Sequence, residues 1–239
     1  MIDIIEDCAE KVLGGKTGSK SGRPNFGFRD DATQEQIQEI QDAAFQAIAD
    51  ARYAVKLGIE YLNGGIVKQN YNQAFRWYKF AAESGFPLGQ ANLADCYMQG
   101  WGVKKNMEEA VRWTKEAASN GFGNSQLCLG KWYIKGDYVD QDIKEGERLL
   151  RLAAAHDESD PFVKIGIMKL DEAYETLGIS LTWHDDTASK REGLKWITKA
   201  AERGHARSIE ILFHIYKGHF EGMREFKDMM QAVKWAKRL

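Results

Sequence analysis

The sequence predicts an all-α fold, a solenoid of helix-turn-helix repeats of about 36 residues. Three observations carry that expectation. Four residue types recur at one spacing, glycines fall regularly between the recurring blocks, and only 3 prolines interrupt 239 residues. Helix is therefore allowed almost everywhere.

The period is clearest around tryptophan. Trp77 and Trp113 stand 36 residues apart, and Leu149 lies a further 36 on. The pairs Ala81-Ala82, Ala117-Ala118 and Ala153-Ala154 keep the same step, as do Tyr61, Tyr97 and Tyr133, and Gly64, Gly100 and Gly136. Four types in register indicate a duplicated unit. Ala200-Ala201 follow Ala153-Ala154 by 47, so the fourth copy carries 11 extra residues. A fifth copy contains Leu212, Tyr216, Ala232 and Trp235, with 3 extra residues between its tyrosine and tryptophan.

Each unit reads as two helices, A and B. In the second copy helix A is expected from Pro87 to Gln99, with proline in the first turn, where its missing N–H has no partner to lose. Gly100-Trp101-Gly102-Val103 breaks the chain, because glycines adopt backbone angles that other residues resist. Helix B then runs from Met107 to about Asn120, with Ala110, Trp113, Ala117 and Ala118 on one face, and ends at Gly121. The fourth copy is expected to open at Asp160-Pro161, an N-cap followed by proline, and to place Lys169 at the tyrosine position and Glu172 at the loop glycine. That reading puts the insertion near residues 171–190.

The succession Ala-x-x-x-Leu-Gly-x-x-Tyr-x-x-Gly-x-Gly-Val, then Ala-x-x-Trp, then Ala-Ala-x-x-Gly resembles the Sel-1-like repeat family, a relative of tetratricopeptide repeats. The second copy nearly spells it, with Gly89 and Ala94 as departures; the third restores Gly130 but has Leu149 in place of tryptophan. The resemblance covers residues 49–239. It implies a right-handed superhelix of antiparallel helix pairs that binds proteins and carries no catalytic residues, since the motif positions are packing positions. It also admits two roles: an adaptor or regulator, or a stoichiometric inhibitor such as the toxin-immunity proteins found among similar repeat proteins.

The domain plan follows. Residues 1–30 read as a short amphipathic helix (2–13) and a Gly-rich basic linker with Lys16, Lys20, Arg23 and Arg29. Residues 31–50 read as a capping helix opened by Thr33 and Gln36, covering the exposed end of the first repeat as a solenoid requires. Residues 51–239 hold about five repeats.

Composition narrows the function classes. The net charge of -2 gives no basic field for nucleic acid or an anionic membrane. No apolar run reaches the ~18–20 residues that span a bilayer. The acidic start Met1-Ile2-Asp3-Ile4-Ile5-Glu6-Asp7 does not fit a secretory signal. With 3 cysteines, free thiols and a cytoplasmic location are expected. No cofactor is expected. Gly14-Gly15-Lys16-Thr17 matches the end of a phosphate-binding loop, but Glu10 stands where that loop needs glycine. His214 and His219 lie five apart, which does not align two metal ligands on one helix. His184-Asp185-Asp186 in the expected insertion is the one place for the rival reading, a hydrolase or metal-dependent enzyme; one imidazole and two adjacent carboxylates make a poor cage.

The remaining candidates lie where the repeat dictates nothing. One stripe of helix A varies in chemistry: Lys56, Glu60 and Asn63; Asn92, Cys96 and Gln99; Cys128, Trp132 and Lys135; Lys164, Met168 and Asp171. Packing positions would be uniformly apolar, so this stripe is expected to face a protein-binding groove, with Trp132 as an exposed anchor. Trp101, between the loop glycines, and Trp183, in the insertion, would form a second surface on the loop edge.

Overall fold

The computed structural model describes residues 50–64, 68–157, 159–160 and 168–238. The N-terminal helix, the basic linker and nearly all of the capping helix expected before residue 51 lie outside the described residues, as do Pro161 and Lys164. Among the described residues the structure is helical and holds no strand. The chain divides into two compact units, Met1–Gly121 and Phe122–Leu239. Unit 1 contains α1 (50–63), α2 (Tyr71–Glu83), α3 (Pro87–Gln99) and α4 (Met107–Ser119). Unit 2 contains α5 (Gly123–Lys135), α6 (Ile143–Ala154), α7 (Leu170–Thr182), α8 (Thr187–Glu202) and α9 (Ala206–Lys217). A short 3-10 helix (Glu221–Phe226) and α10 (Met229–Ala236) complete it. Odd-numbered helices are the A helices and even-numbered ones the B helices.

Polar caps start the B helices. Asn70, Asn106, Asp142, Asp186 and Asp228 each accept a hydrogen bond on the side-chain oxygen from the backbone N–H three residues on. Each such cap stabilises its helix by about 1 kcal/mol. In four hairpins the cap also clasps the preceding helix. The N–H groups of Asn70, Asn106, Asp142 and Asp228 donate to the carbonyls of Tyr61, Tyr97, Tyr133 and Tyr216 at 2.8–2.9 Å. The A helices other than α7 end instead at left-handed glycines, Gly64, Gly100, Gly136 and Gly218.

In three hairpins the A and B helices cross at small residues. In α5–α6 and α7–α8 the crossings are glycine on glycine: a Cβ on Gly146 would sit 2.9 Å from the Gly130 carbonyl oxygen, and one on Gly193 2.6 Å from that of Gly178. The equivalent positions in the second copy are Ala94 and Ala110, both buried. Around the crossings pack the recurring large residues. Trp113, Leu149 and Trp235 are buried, and the Ala-Ala pairs close beneath them. Unit 1 has one core, built on Ala54, Tyr78, Ala81, Leu93 and Cys96. Unit 2 has two, one around Leu150, Tyr174 and Leu177, the other around Ile197, Leu212 and Trp235.

The fourth copy differs from the expectation. Its A helix is Leu170–Thr182, so Lys169 precedes the helix and Glu172 lies in its first turn. The glycine crossing fixes the register: Gly178 matches Gly130, Leu177 matches Leu129, and Leu181 takes the tyrosine position. The extra residues therefore fall before Leu170, and 183–186 is simply the turn between α7 and α8. That turn has four residues where the second and third copies have seven. It has no glycine stop, and α8 is longer by a turn at its start, with 16 residues against 12 in α6. Trp196 then fills the repeat's tryptophan position and stacks on Tyr174, ring centroids 5.5 Å apart.

Candidate interaction surface

Side chains that the packing does not consume are found on the A helices and on the A–B turns. In unit 1 Lys56 and Gln99 are exposed, while Glu60 and Asn92 are half-buried. Trp101 is half-buried and stacks on Tyr71 at 6.2 Å between ring centroids, so its ring serves the turn as well as the surface. In unit 2 Lys135 is exposed at the end of α5. Trp183 occupies the matching end of α7 and is 77% exposed, the largest value among the aromatic residues described as exposed.

The exposed anchor expected at Trp132 is absent. Its ring is only 7% exposed and meets Tyr138 edge-on with centroids 5.4 Å apart. Cys96, one repeat earlier, is fully buried, and Ser180, the match in α7, is buried too. The middle of the expected stripe thus turns into the array, and only its last position, Asn63, Gln99, Lys135 and Trp183, is exposed throughout. The fourth-copy members change with the register. Met168 is buried ahead of α7, and Asp171 pairs with Arg203. The accessible face of α5 and α7 carries Cys128, Lys131, Glu172, Thr176 and Ile179 instead.

Ion pairs tie neighbouring repeats along that face. Lys131 bridges to Glu172, and Lys169 Nζ lies 3.8 Å from the same carboxylate. Burial pushes the Glu172 carboxyl up, but the hydrogen bond from Lys131 and the nearby lysine charges outweigh it and hold the group below its ordinary value. A cleft of about 360 Å³ opens beside these pairs, lined by Met168, Lys169, Asp171, Glu172, Arg203 and His205 among others. Its charges are engaged with one another, so it presents no unmatched charge to a ligand.

Two buried carboxylates join serine and histidine in a way that invites a chemical reading. Glu147 accepts from Ser180 Oγ at 2.7 Å and lies 2.9 Å from His184 Nε2. Glu175 accepts from Ser208 Oγ at 3.0 Å and lies 3.0 Å from His205 Nδ1 and 3.2 Å from Arg207. In a nucleophilic triad the imidazole stands between an accessible hydroxyl and the carboxylate. In the first set the carboxylate is central; in the second, His205 Nδ1 also lies 2.9 Å from Ser208 Oγ, but one ring nitrogen then meets both partners where a triad uses two, and Ser208 has no solvent exposure. These sets fasten one repeat to the next. Two of the three residues of the rival enzymatic reading are engaged in the fold: His184 faces Glu147, and Asp186 caps α8.

Among the described residues no three His, Cys, Asp or Glu side chains gather as metal ligands. His214 and His219 do meet, Nδ1 to Nδ1 at 2.9 Å, although five residues separate them. The left-handed Gly218 folds the chain back over the end of α9, a turn that helical spacing alone does not reveal. No helix of the described residues is long and apolar enough to cross a membrane.

The Sel1 repeat model matches residues 51–86, 87–122, 124–158, 185–205 and 217–239. The chain belongs to the Sel1 repeat family. The break in the match between 158 and 185 coincides with the extra residues before α7 and the divergent α7 itself. A Sel1 repeat protein from Oxalobacter formigenes is similar in structure, with 25% identity and a TM-score of 0.65 over 85% of this chain and 76% of that one. c5321, a protective antigen of uropathogenic Escherichia coli with an SLR fold, is 23% identical with a TM-score of 0.43, covering 100% of this chain and 61% of its own length. Immunity protein Pa5087 of Pseudomonas aeruginosa is 17% identical with a TM-score of 0.38, covering 81% and 80%. No curated protein matches significantly. The Sel1 repeats give the chain the architecture of a protein-interaction scaffold.

Proposed function

We propose that this Sel1 repeat protein works by holding a protein partner stoichiometrically, without chemistry of its own. Trp183 carries the reading. It ends α7 in a turn that lacks the usual glycine stop and is 77% exposed, and a large aromatic side chain left in water beside polar neighbours is the usual form of a binding hot spot. The rest of the array supports it: the motif residues are committed to packing, and the variable ones reach solvent. An adaptor and an inhibitor would use the same surface, and the partner's identity separates them.

The test is affinity capture on the intact protein from its source cells, identification of what is retained, and calorimetric titration of the purified pair. A saturable 1:1 complex is expected. An enzyme partner silenced on binding would mark an inhibitor; a partner that stays active would mark an adaptor. Turnover of any captured molecule by the chain would overturn the reading.

A further inference from the structure

The three A–B turns of unit 2 each display an exposed aromatic ring: Tyr138 at 62%, Trp183 at 77% and Phe220 at 44%. Successive hairpins of a helical repeat run in the same sense, so their A–B turns emerge along one edge of the unit.

Tyr138 holds its place against local preference. Its φ is 60°, and among the described residues it is the one non-glycine residue at positive φ. One repeat earlier the position is Gly102, φ 69°, where a Cβ would meet the Tyr71 carbonyl oxygen at 2.1 Å. The third copy thus puts a large ring where the repeat wants glycine, and leaves that ring mostly in water. The ring meets Trp132 edge-on yet stays 62% exposed, and a backbone outlier kept at a side chain so open to solvent points to a use beyond packing. Trp183, at the end of α7, carries no such strain, with φ -85°, but it leaves a still larger ring 77% exposed.

The charges in these turns say what the rings would meet. Asp137 and Asp140 share the turn of Tyr138, and Asp185 and Asp186 follow Trp183; all four are exposed, whereas the stretch around Phe220 is balanced, with Lys217, Arg224 and Lys227 against Glu221, Glu225 and Asp228. The lysines that flank these turns in sequence, Lys135, Lys144 and Lys190, lie on the neighbouring helices. The corresponding turns of unit 1 are basic instead, with Lys68, Lys104 and Lys105, and Lys104 is the repeat counterpart of Asp140. Aromatic faces beside carboxylates suit guanidinium and ammonium groups, through ring quadrupole and charge together.

From this we infer that the A–B turns of Tyr138 and Trp183 form a docking surface for an arginine- and lysine-rich segment of a protein partner. The inference rests on the scaffold reading and adds the partner's chemistry.

The experiment uses the full chain and two fluorescein-labelled twelve-residue peptides, one alternating arginine with serine and one alternating glutamate with serine. Anisotropy should show the arginine peptide binding and weakening as salt rises, and the glutamate peptide not binding. Trp183→Ala and Tyr138→Gly should each weaken binding about tenfold or more while melting close to the parent. Tyr138→Gly is the sharper variant, because glycine suits φ 60°: loss of binding without loss of fold separates a docking role from a structural one. Equal binding of both peptides, or unchanged binding by both variants, would overturn the inference. So would concentration-dependent self-association abolished by Lys104→Ala, which would give the edge to a second copy. A captured partner that both variants retain would overturn the edge and leave the scaffold reading standing.

Discussion

Gly193→Ala tests whether the glycine crossings hold unit 2 together. The new methyl carbon would lie 2.6 Å from the Gly178 carbonyl oxygen and 3.0 Å from Thr182 Cγ2. The first obstacle is a main-chain atom of α7, which moves only if the helix moves. Overpacking a tight interior costs about 1–3 kcal/mol, and a backbone obstacle argues for the upper half of that range. Alanine returns about 1 kcal/mol through helix propensity. The net loss is about 1–2 kcal/mol, or ~4–8 °C in Tm for a unit of this size. Urea and thermal melts followed by circular dichroism would read it. Ala110→Gly in unit 1 is the counterpart: the second copy crosses on alanines, so glycine there loses propensity, gains no closeness, and should also destabilise. An unchanged or raised Tm for Gly193→Ala would refute the reasoning, because it would mean that α7 and α8 separate freely.

Trp113→Ala should lose about 3–5 kcal/mol of stability, since the residue is only 9% exposed. Trp183→Ala, at a side chain 77% exposed, should stay within about 0.5 kcal/mol of the parent by denaturant midpoint. The Glu172 carboxyl is held below its ordinary value in the folded protein. Its contribution is therefore full above the unfolded pKa and lost as pH falls through the folded one; Glu172→Gln should flatten the acid limb of Tm against pH below about pH 4.5. Cys96 is fully buried, and burial, with the Asp95 charge beside it, pushes its thiol up to about 12. It should resist a thiol reagent at pH 8 until the chain is unfolded, and rapid labelling in the native state would contradict its burial.

How far the sequence could be read depended on the kind of signal. The bounds of α3 coincide with those expected, Pro87 to Gln99, because proline in the first turn and a left-handed glycine at the end act locally. The fourth copy departs from the expected register because the 36-residue step, carried on from Tyr133 and Gly136, lands on Lys169 and Glu172, whereas the extra residues precede Leu170. The pair Leu177-Gly178, whose glycine sits at the helix crossing, holds the register while leucine replaces the tyrosine and histidine the loop glycine. Trp132 misled for a different reason. Its neighbours Cys128 and Lys135 are half-buried and exposed, but a helical face turns by about 100° per residue, and the middle of the stripe rotates inward beneath Tyr138. The histidine pair needed the backbone of Gly218, which spacing on an ideal helix does not contain.

The tyrosine-to-cap clasps bear on how the molecule is made. Each joins residues nine to twelve positions apart, and the ties between repeats, such as Lys131 to Glu172 and Asn124 to Lys169, span 41 and 45. Low sequence separation favours rapid folding, and a structure whose parts touch only their neighbours is completed piece by piece. A hairpin leaving the ribosome could therefore close on its own clasp and dock on the one before it while the next was still being synthesised.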